Sequence, residues 1–284
     1  MDGGILVAAR IGLMVDLALL MGLPLFAVAM GGRVHRGVLA ALALGGMALS
    51  ALWLLASAAG MSGAAIFPPD WATVDILLTM TPIGPVLAVR GVALVVALAL
   101  ALAGRDRWVL APAAVAVATI AWTGHAGASE DMAGSVHRAA DVVHIWAAGA
   151  WIGALAMLLH ACATMRAADG PRVTRMLARF AGMGTVIVAL LVVTGVVNGV
   201  MIVGVADLPA LLGSRYGWLL GAKLALFGGM LGLAALNRWR LAPALERSGV
   251  GAVAALRLSL AVETSAAMGV LVLVGWLGTL DPLA

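Results

Sequence analysis

The sequence predicts an all-α integral membrane protein, a bundle of eight transmembrane helices with both termini on the non-cytoplasmic side. Three observations carry this. Of 284 residues, 64% are hydrophobic and 11% charged, with a mean hydropathy of +1.12, far outside the range of water-soluble domains. A bilayer core takes about 20 apolar residues per helical crossing, and the chain offers eight such runs, near 5–30, 37–60, 83–103, 107–125, 137–161, 178–204, 216–237 and 256–280. The third observation is that the arginines sort by loop. Arg33, Arg36, Arg105, Arg107, Arg166, Arg172, Arg175, Arg179, Arg238, Arg240, Arg247 and Arg257 all fall on one side, whereas the opposite connections hold only Arg215 beside several carboxylates. The positive-inside rule makes the arginine side cytoplasmic.

Each run is justified in turn. The first opens without a basic region in residues 1–4 and is interrupted by Arg10 and Asp16, so it reads as a permanent helix rather than a cleaved leader. The second and third flank the longest connection, 61–82, a loop holding Pro68, Pro69 and Pro82. The fourth ends in "AWTGHAG" and the fifth begins at "HRAADVVHIWAAGAW". The sixth to eighth are rich in Ala, Gly, Leu and Val, and Gly182-Met183-Gly184 and Gly228-Gly229 read as packing notches or kinks. No connection can hold a separate soluble unit, so residues 1–284 form a single polytopic domain. Alternating strand patterns are absent, which excludes an outer-membrane barrel.

Several function classes drop out. The formal charge of +4 is the signature of topology, and nucleic-acid binding is excluded as its cause. One cysteine, Cys162, rules out an internal disulfide framework. There is no GxSxG elbow, P-loop or HExxH motif, so neither a conventional hydrolase nor an ATP-driven machine can be built; the chain reads as a non-enzyme.

What the sequence does contain is a polar cluster at the start of the fifth run. His137, Asp141 and His144 are spaced by four and then three residues, which stacks them on one helical face, with His144 about 10 Å below His137. His125, at the end of the fourth run, reaches the same side. Ionisable groups inside a span are unfavourable by about 2.5–3.5 kcal/mol on insertion scales and mark paired or functional positions. Three imidazoles and a carboxylate suit a borderline divalent metal, with Asp141 either a ligand or a group orienting an imidazole. Met132, Met61, Met80 and Met201 lie on the same side, and thioether beside imidazole shifts the choice toward copper, Cu(I) in particular. The ordinary alternatives are interfacial histidines, an Asp141–His144 hydrogen bond, and methionines that only fill gaps.

Further charges lie inside the runs: Arg10, Asp16, Arg90, Lys223 and Glu263, with Asn198 near Lys223. Salt-bridge scaffolding is one reading, and a cationic belt that repels metal but attracts an anionic lipid, quinone or carboxylate is another. If the chain transports an ion, Asp16, Asp141 and Glu263 are the groups suited to carry coupled protons. At the cytoplasmic end of the fifth run, "HACATM" offers His160, Cys162 and Met165 as a second, inner metal site. Residues two apart on a helix point in different directions, so joint ligation there needs a frayed end. His35, in a basic loop, reads as solvated.

"TGHA" followed by "ADVVHIWAAGAWIGAL" resembles the signature of the copper resistance protein D (CopD) family. "RFAGMGTVIVALLVVTGVVNG", "YGWLLGAKLALFGGMLGLAALNRWRLAP" and "LRLSLAVETSAAMGVLVLVGWLGTLDP" are similar to that family's later helices, so the resemblance covers residues 118–282 well and the first three spans loosely. It implies a bacterial inner-membrane protein with periplasmic termini that moves copper, Cu(I) or Cu(II), from periplasm toward cytoplasm. It also implies a partner, the periplasmic copper carrier CopC, which is not fused to this chain. His125, Asp141 and His144 match the family's motif positions, with His137 less closely matched. The rival class is a membrane redox protein binding haem b or quinone, with His125 and His144 as axial ligands.

Overall fold

The computed structural model describes residues 2–124, 131–164, 170–204, 208–211, 213–247 and 250–280, and among them there are helices and no strands. The helices are α1 (Asp2–Met30), α2 (Arg36–Ser62), α3 (Trp71–Thr79), α4 (Ile83–Leu102), α5 (Leu110–Ala118), α6 (Asp131–Thr164), α7 (Gly170–Val203), α8 (Leu208–Leu211), α9 (Arg215–Leu236), α10 (Ala242–Arg247) and α11 (Val250–Leu277). Among the described residues seven helical stretches are long and apolar enough to cross a membrane, and the chain is a multi-pass membrane protein.

The count departs from the expected eight at the fourth run. There α5 is only 9 residues long, flanked by 3₁₀ turns at Asp106–Val109 and Thr119–Thr123. A 3₁₀ turn rises about 2.0 Å per residue against about 1.5 Å in an α-helix, so the composite segment still extends about 31 Å. Hydropathy alone cannot distinguish such a segment from a continuous helix, because both bury the same apolar side chains.

The predicted loop 61–82 likewise contains α3. Its N-cap Asp70 accepts hydrogen bonds from the backbone N–H of Ala72 (3.1 Å) and Thr73 (3.3 Å) and from Thr73 Oγ1 (2.7 Å). An aspartate followed by two unbonded amides is a helix start, and these hydrogen bonds, with that from the Thr73 hydroxyl first, hold its carboxyl below the usual range.

α1 is the shared wall of two cores. Leu13, Leu17 and Leu20 face a cluster with α2, α4 and α5, whereas Ala18 and Phe26 face one built mainly from α6, α7 and α11. α1 and α6 cross backbone to backbone. A Cβ on Gly22 would land on the Gly149 carbonyl and the Gly153 main chain, and one on Gly153 would land on Gly22. Gly149 and Gly153 are four apart, the small-xxx-small spacing of close helix pairs in lipid. The glycines singled out in the sequence are not notches: a Cβ on Gly182, Gly228 or Gly229 would meet nothing within 4 Å, and on Gly184 only the ring of Phe180.

At the arginine-bearing end, Arg33 grips Asp106 with two hydrogen bonds, Nε to Oδ2 at 3.3 Å and Nη2 to Oδ1 at 3.0 Å. Burial pushes the Asp106 carboxyl up, but the Arg33 hydrogen bond and charge, together with the backbone N–H groups of Asp106 and Val34, outweigh it and hold it below the usual range. On the far side of the bundle α6 packs on α7 and α9 on α11, while α7 and α9 do not pack along each other. That gap carries the polar chemistry.

Candidate functional site

A cavity of about 210 Å³ opens between α1, α6, α7, α9 and α11 in the half of the bundle that holds the chain's N-terminus. His137, Asp141 and His144 all line it from α6, as their spacing predicts. Opposite them stand Arg10 of α1, Asn198 of α7, and Lys223 of α9. His137 is 2% exposed, the deepest burial of any histidine described.

His144 is fixed by α7. Its Nδ1 lies 2.9 Å from Thr194 Oγ1, and that hydroxyl already donates to the Leu190 carbonyl at 2.5 Å. Thr194 therefore accepts, Nδ1 carries the proton, and the lone pair resides on Nε2. Holding one ring nitrogen protonated so that the other can ligate is how proteins orient metal-binding imidazoles. Gly195 lies against the ring: a Cβ there would sit in ordinary van der Waals contact with His144 Cε1, at 3.5 Å. One turn further along α7, Asn198 donates from Nδ2 to Asp141 Oδ1 at 3.1 Å. Thr194 and Asn198, four residues apart, thus serve His144 and Asp141, three apart, across the α6–α7 seam.

Lys223 and Arg10 exert their charges on Asp141, although among the described residues neither lies within ion-pair distance of the carboxylate. Arg10 also ties down two chain ends: its Nη1 donates to the carbonyls of Thr123 (3.4 Å) and Gly278 (3.3 Å), where the composite segment and α11 finish. A guanidinium there satisfies carbonyls that have no helical partner. With both bases protonated and imidazoles neutral, the cavity is net positive, and an incoming cation must compete with Lys223 for Asp141.

The other sequence-derived candidates fall as follows. His125 and Met165 lie outside the described residues. Met132, Met61 and Met80 are exposed, and neither they nor Met201 line the cavity; the thioether that does is Met14. The missed signal was Met14's place one turn after Arg10. His160 is exposed while Cys162 is fully buried, with its carbonyl accepting from Arg257 Nη2 at 2.9 Å, so the two do not share a face. Among the described residues no three His, Cys, Asp or Glu side chains converge on a common point as a metal site.

Three intramembrane charges, Asp16, Arg90 and Glu263, do not line this cavity. Arg90, 1% exposed, donates from Nε to Thr119 Oγ1 at 2.7 Å, in the second 3₁₀ turn. Asp16 lies against Gly45 and Gly46, whose missing side chains make its space. His35 caps α2, its Nδ1 accepting from Gly37 N–H at 3.2 Å.

Fold and cavity together define a polytopic helical membrane protein with a polar, multi-helix pocket near one membrane face. The chain belongs to the copper resistance protein D family. The family model described as copper resistance protein D matches residues 174–277, and that described as copper resistance protein D-like, N-terminal domain, matches residues 1–135. The likeness thus includes the first spans, where the motifs alone suggested only a loose match. The chain is 39% identical over 306 aligned positions to copper resistance protein D of Pseudomonas syringae pv. tomato, covering 99% of this chain and 98% of that one. It is 28% identical over 163 positions to inner membrane protein YebZ of Escherichia coli K12, covering 57% of this chain and 55% of that protein. No solved structure matches it significantly.

Proposed function

We propose that this protein is a bacterial inner-membrane copper transporter of eight crossings, with periplasmic termini, that admits copper through the α6 cavity and passes it toward the cytoplasm. The observation that carries the reading is that His137, Asp141 and His144 line one cavity, with His144 held by Thr194 so that Nε2 is left to present a lone pair. Imidazole nitrogen, a carboxylate and the Met14 thioether are a donor set matched to copper as cargo. The composite segment, at about 31 Å, matches the roughly 30 Å hydrocarbon core and supplies the eighth crossing. Family membership and the likeness to inner membrane protein YebZ support the inner membrane. Copper arrives from a separate periplasmic carrier similar to CopC, and no ATP-driven step is involved.

His144→Ala is expected to lower copper retention by the purified full chain at least about tenfold, the low end for disturbing a ligand or its support. Retention is measured by metal analysis after dialysis, beside an optical spectrum. Wild-type protein that holds no copper, or that shows a Soret band lost in His144→Ala, would replace this reading with the haem one.

A further inference from the structure

A second cavity, of about 220 Å³, lies in the opposite half of the same α7–α9 gap and is walled by α6, α7, α9 and α11. The two cavities are stacked: Ile152 lines the first and its neighbour Trp151 the second. At the boundary Trp151 meets Phe227 of α9 edge to face, with ring centroids 5.9 Å apart. Aromatic side chains thus stand between the chambers.

The second chamber holds one buried acid. Glu263 is 1% exposed; its Oε1 accepts from Trp151 Nε1 at 2.9 Å and its Oε2 from Asn237 Nδ2 at 3.1 Å. Both donors are neutral, and among the described residues no cation lies within ion-pair distance of the carboxylate. The cavity's own cation, Arg238, turns to α7 instead, donating to the Ala181 carbonyl (3.3 Å) and Thr185 Oγ1 (3.1 Å). Arg257, on the arginine-bearing side of Glu263 along α11, is bound to the Cys162 carbonyl. α6 contributes Trp151, and α7 contributes Thr185 and no titratable group to the wall.

Asn237 begins a π-helical turn, Asn237–Leu241, in which Ala242 N–H reaches back to the Asn237 carbonyl. Such turns are rare and gather at functional sites. Asn237 is 6% exposed and its Oδ1 has no hydrogen-bond partner. An amide beside a carboxyl serves either protonation state: Nδ2 donates to the carboxylate, and after a half-turn Oδ1 accepts from the carboxylic O–H. Ser259, one helical turn before Glu263 on the same face of α11, also has a buried hydroxyl with no partner.

We propose that Glu263, held between Trp151 and Asn237, is a proton-binding station of the inner chamber, separated from the outer His/Asp cavity by the Trp151–Phe227 pair. The site supplies hard oxygen and no imidazole or sulfur, which suits a proton and not a soft metal ion. One proton adds to a Glu263 carboxylate oxygen, and the resulting O–H is taken up by the amide oxygen of Asn237. The proton's role as counter-ion to copper rests on the transport reading; its binding does not.

The test is infrared difference spectroscopy of the full chain in nanodiscs, titrated over pH without copper. A protonated-carboxyl C=O band that fades as pH rises, is absent in Glu263→Gln and moves to higher frequency in Trp151→Phe is the expected result. Trp151→Phe keeps the carboxyl, so it answers even if Glu263→Gln fails to fold. A wild-type spectrum with no such band, a band that does not titrate, or one unchanged in Trp151→Phe overturns the proposal. A second arm follows copper-driven proton movement in proteoliposomes with an entrapped pH dye. Glu263→Gln is expected to retain copper and lose the proton signal; a preserved signal overturns the counter-ion role. Failure of the copper reading would appear differently, as wild-type protein that retains no copper.

Discussion

The two cavities share four helices and differ in how they keep charge inside a membrane. The outer one places Lys223 and Arg10 in the same cavity as Asp141, where their charges act on the carboxylate from beyond ion-pair distance and its hydrogen bond comes from Asn198. The inner one gives Glu263 two neutral hydrogen bonds and no counter-charge among the described residues. A buried anion beside cationic side chains can exchange their influence for that of a metal, whereas one with only neutral donors is balanced most simply by a proton. The same functional group, a carboxyl on α6 in one chamber and on α11 in the other, is thereby directed to different ligands by its neighbours.

The substitution expected to break both sites at once is Gly153→Leu. α6 supplies Asp141 and His144 to one cavity and Trp151 to the other, and a leucine at Gly153 would push α1 off it. The loss should exceed the about 1–3 kcal/mol of ordinary overpacking, because the obstacle is backbone. It is read as the absence of a monodisperse peak in size-exclusion chromatography. Next in size, Thr194→Val removes the acceptor that fixes the His144 tautomer and is expected to weaken copper retention by about tenfold. It leaves the infrared band of Glu263 in place, which separates the two cavities. In the opposite direction, Lys223→Leu, which adds no donor atom, relieves the competition for Asp141 and should tighten copper retention several-fold in equilibrium titrations; unchanged or weaker retention would show that Lys223 is not the displaced partner.

The smallest effect lies outside both chambers. Asp106 is held below its usual range by Arg33 after burial is overcome, so its contribution to stability is present above the unfolded carboxyl value and fades as pH falls through the folded one. Asp106→Asn should lower the thermal midpoint in detergent slightly at neutral pH, with the difference from wild type shrinking toward acid. A difference that grows toward acid would contradict this assignment.

Much of the outer site was legible because helical periodicity needs no partner: a four-then-three spacing places His137, Asp141 and His144 on one face whatever surrounds them. The α7 residues that complete it, Thr194 and Asn198, carry the matching period, and only Asn198 was noticed. What periodicity cannot reveal is which helices lie side by side. Hence exposed methionines near the outer loops share a side but not a cavity with the histidines, where the lining thioether is Met14, and the close backbone crossing falls at Gly22, Gly149 and Gly153, not at the paired glycines of α7 and α9. The fourth span was misread in form because 3₁₀ and α turns bury the same hydrophobic side chains. The π-turn at Asn237 leaves no signal in composition at all.

The glycine crossing of α1 and α6 has a mechanical consequence. Two main chains in direct contact cannot slide without losing the contact that joins the two cores, so this seam behaves as a fixed fulcrum. Any change of shape in the chambers is therefore left to α7 and α9, which do not pack along each other but are tied at the arginine-bearing end, where Arg238 reaches Ala181 and Thr185 and α10 packs on α7.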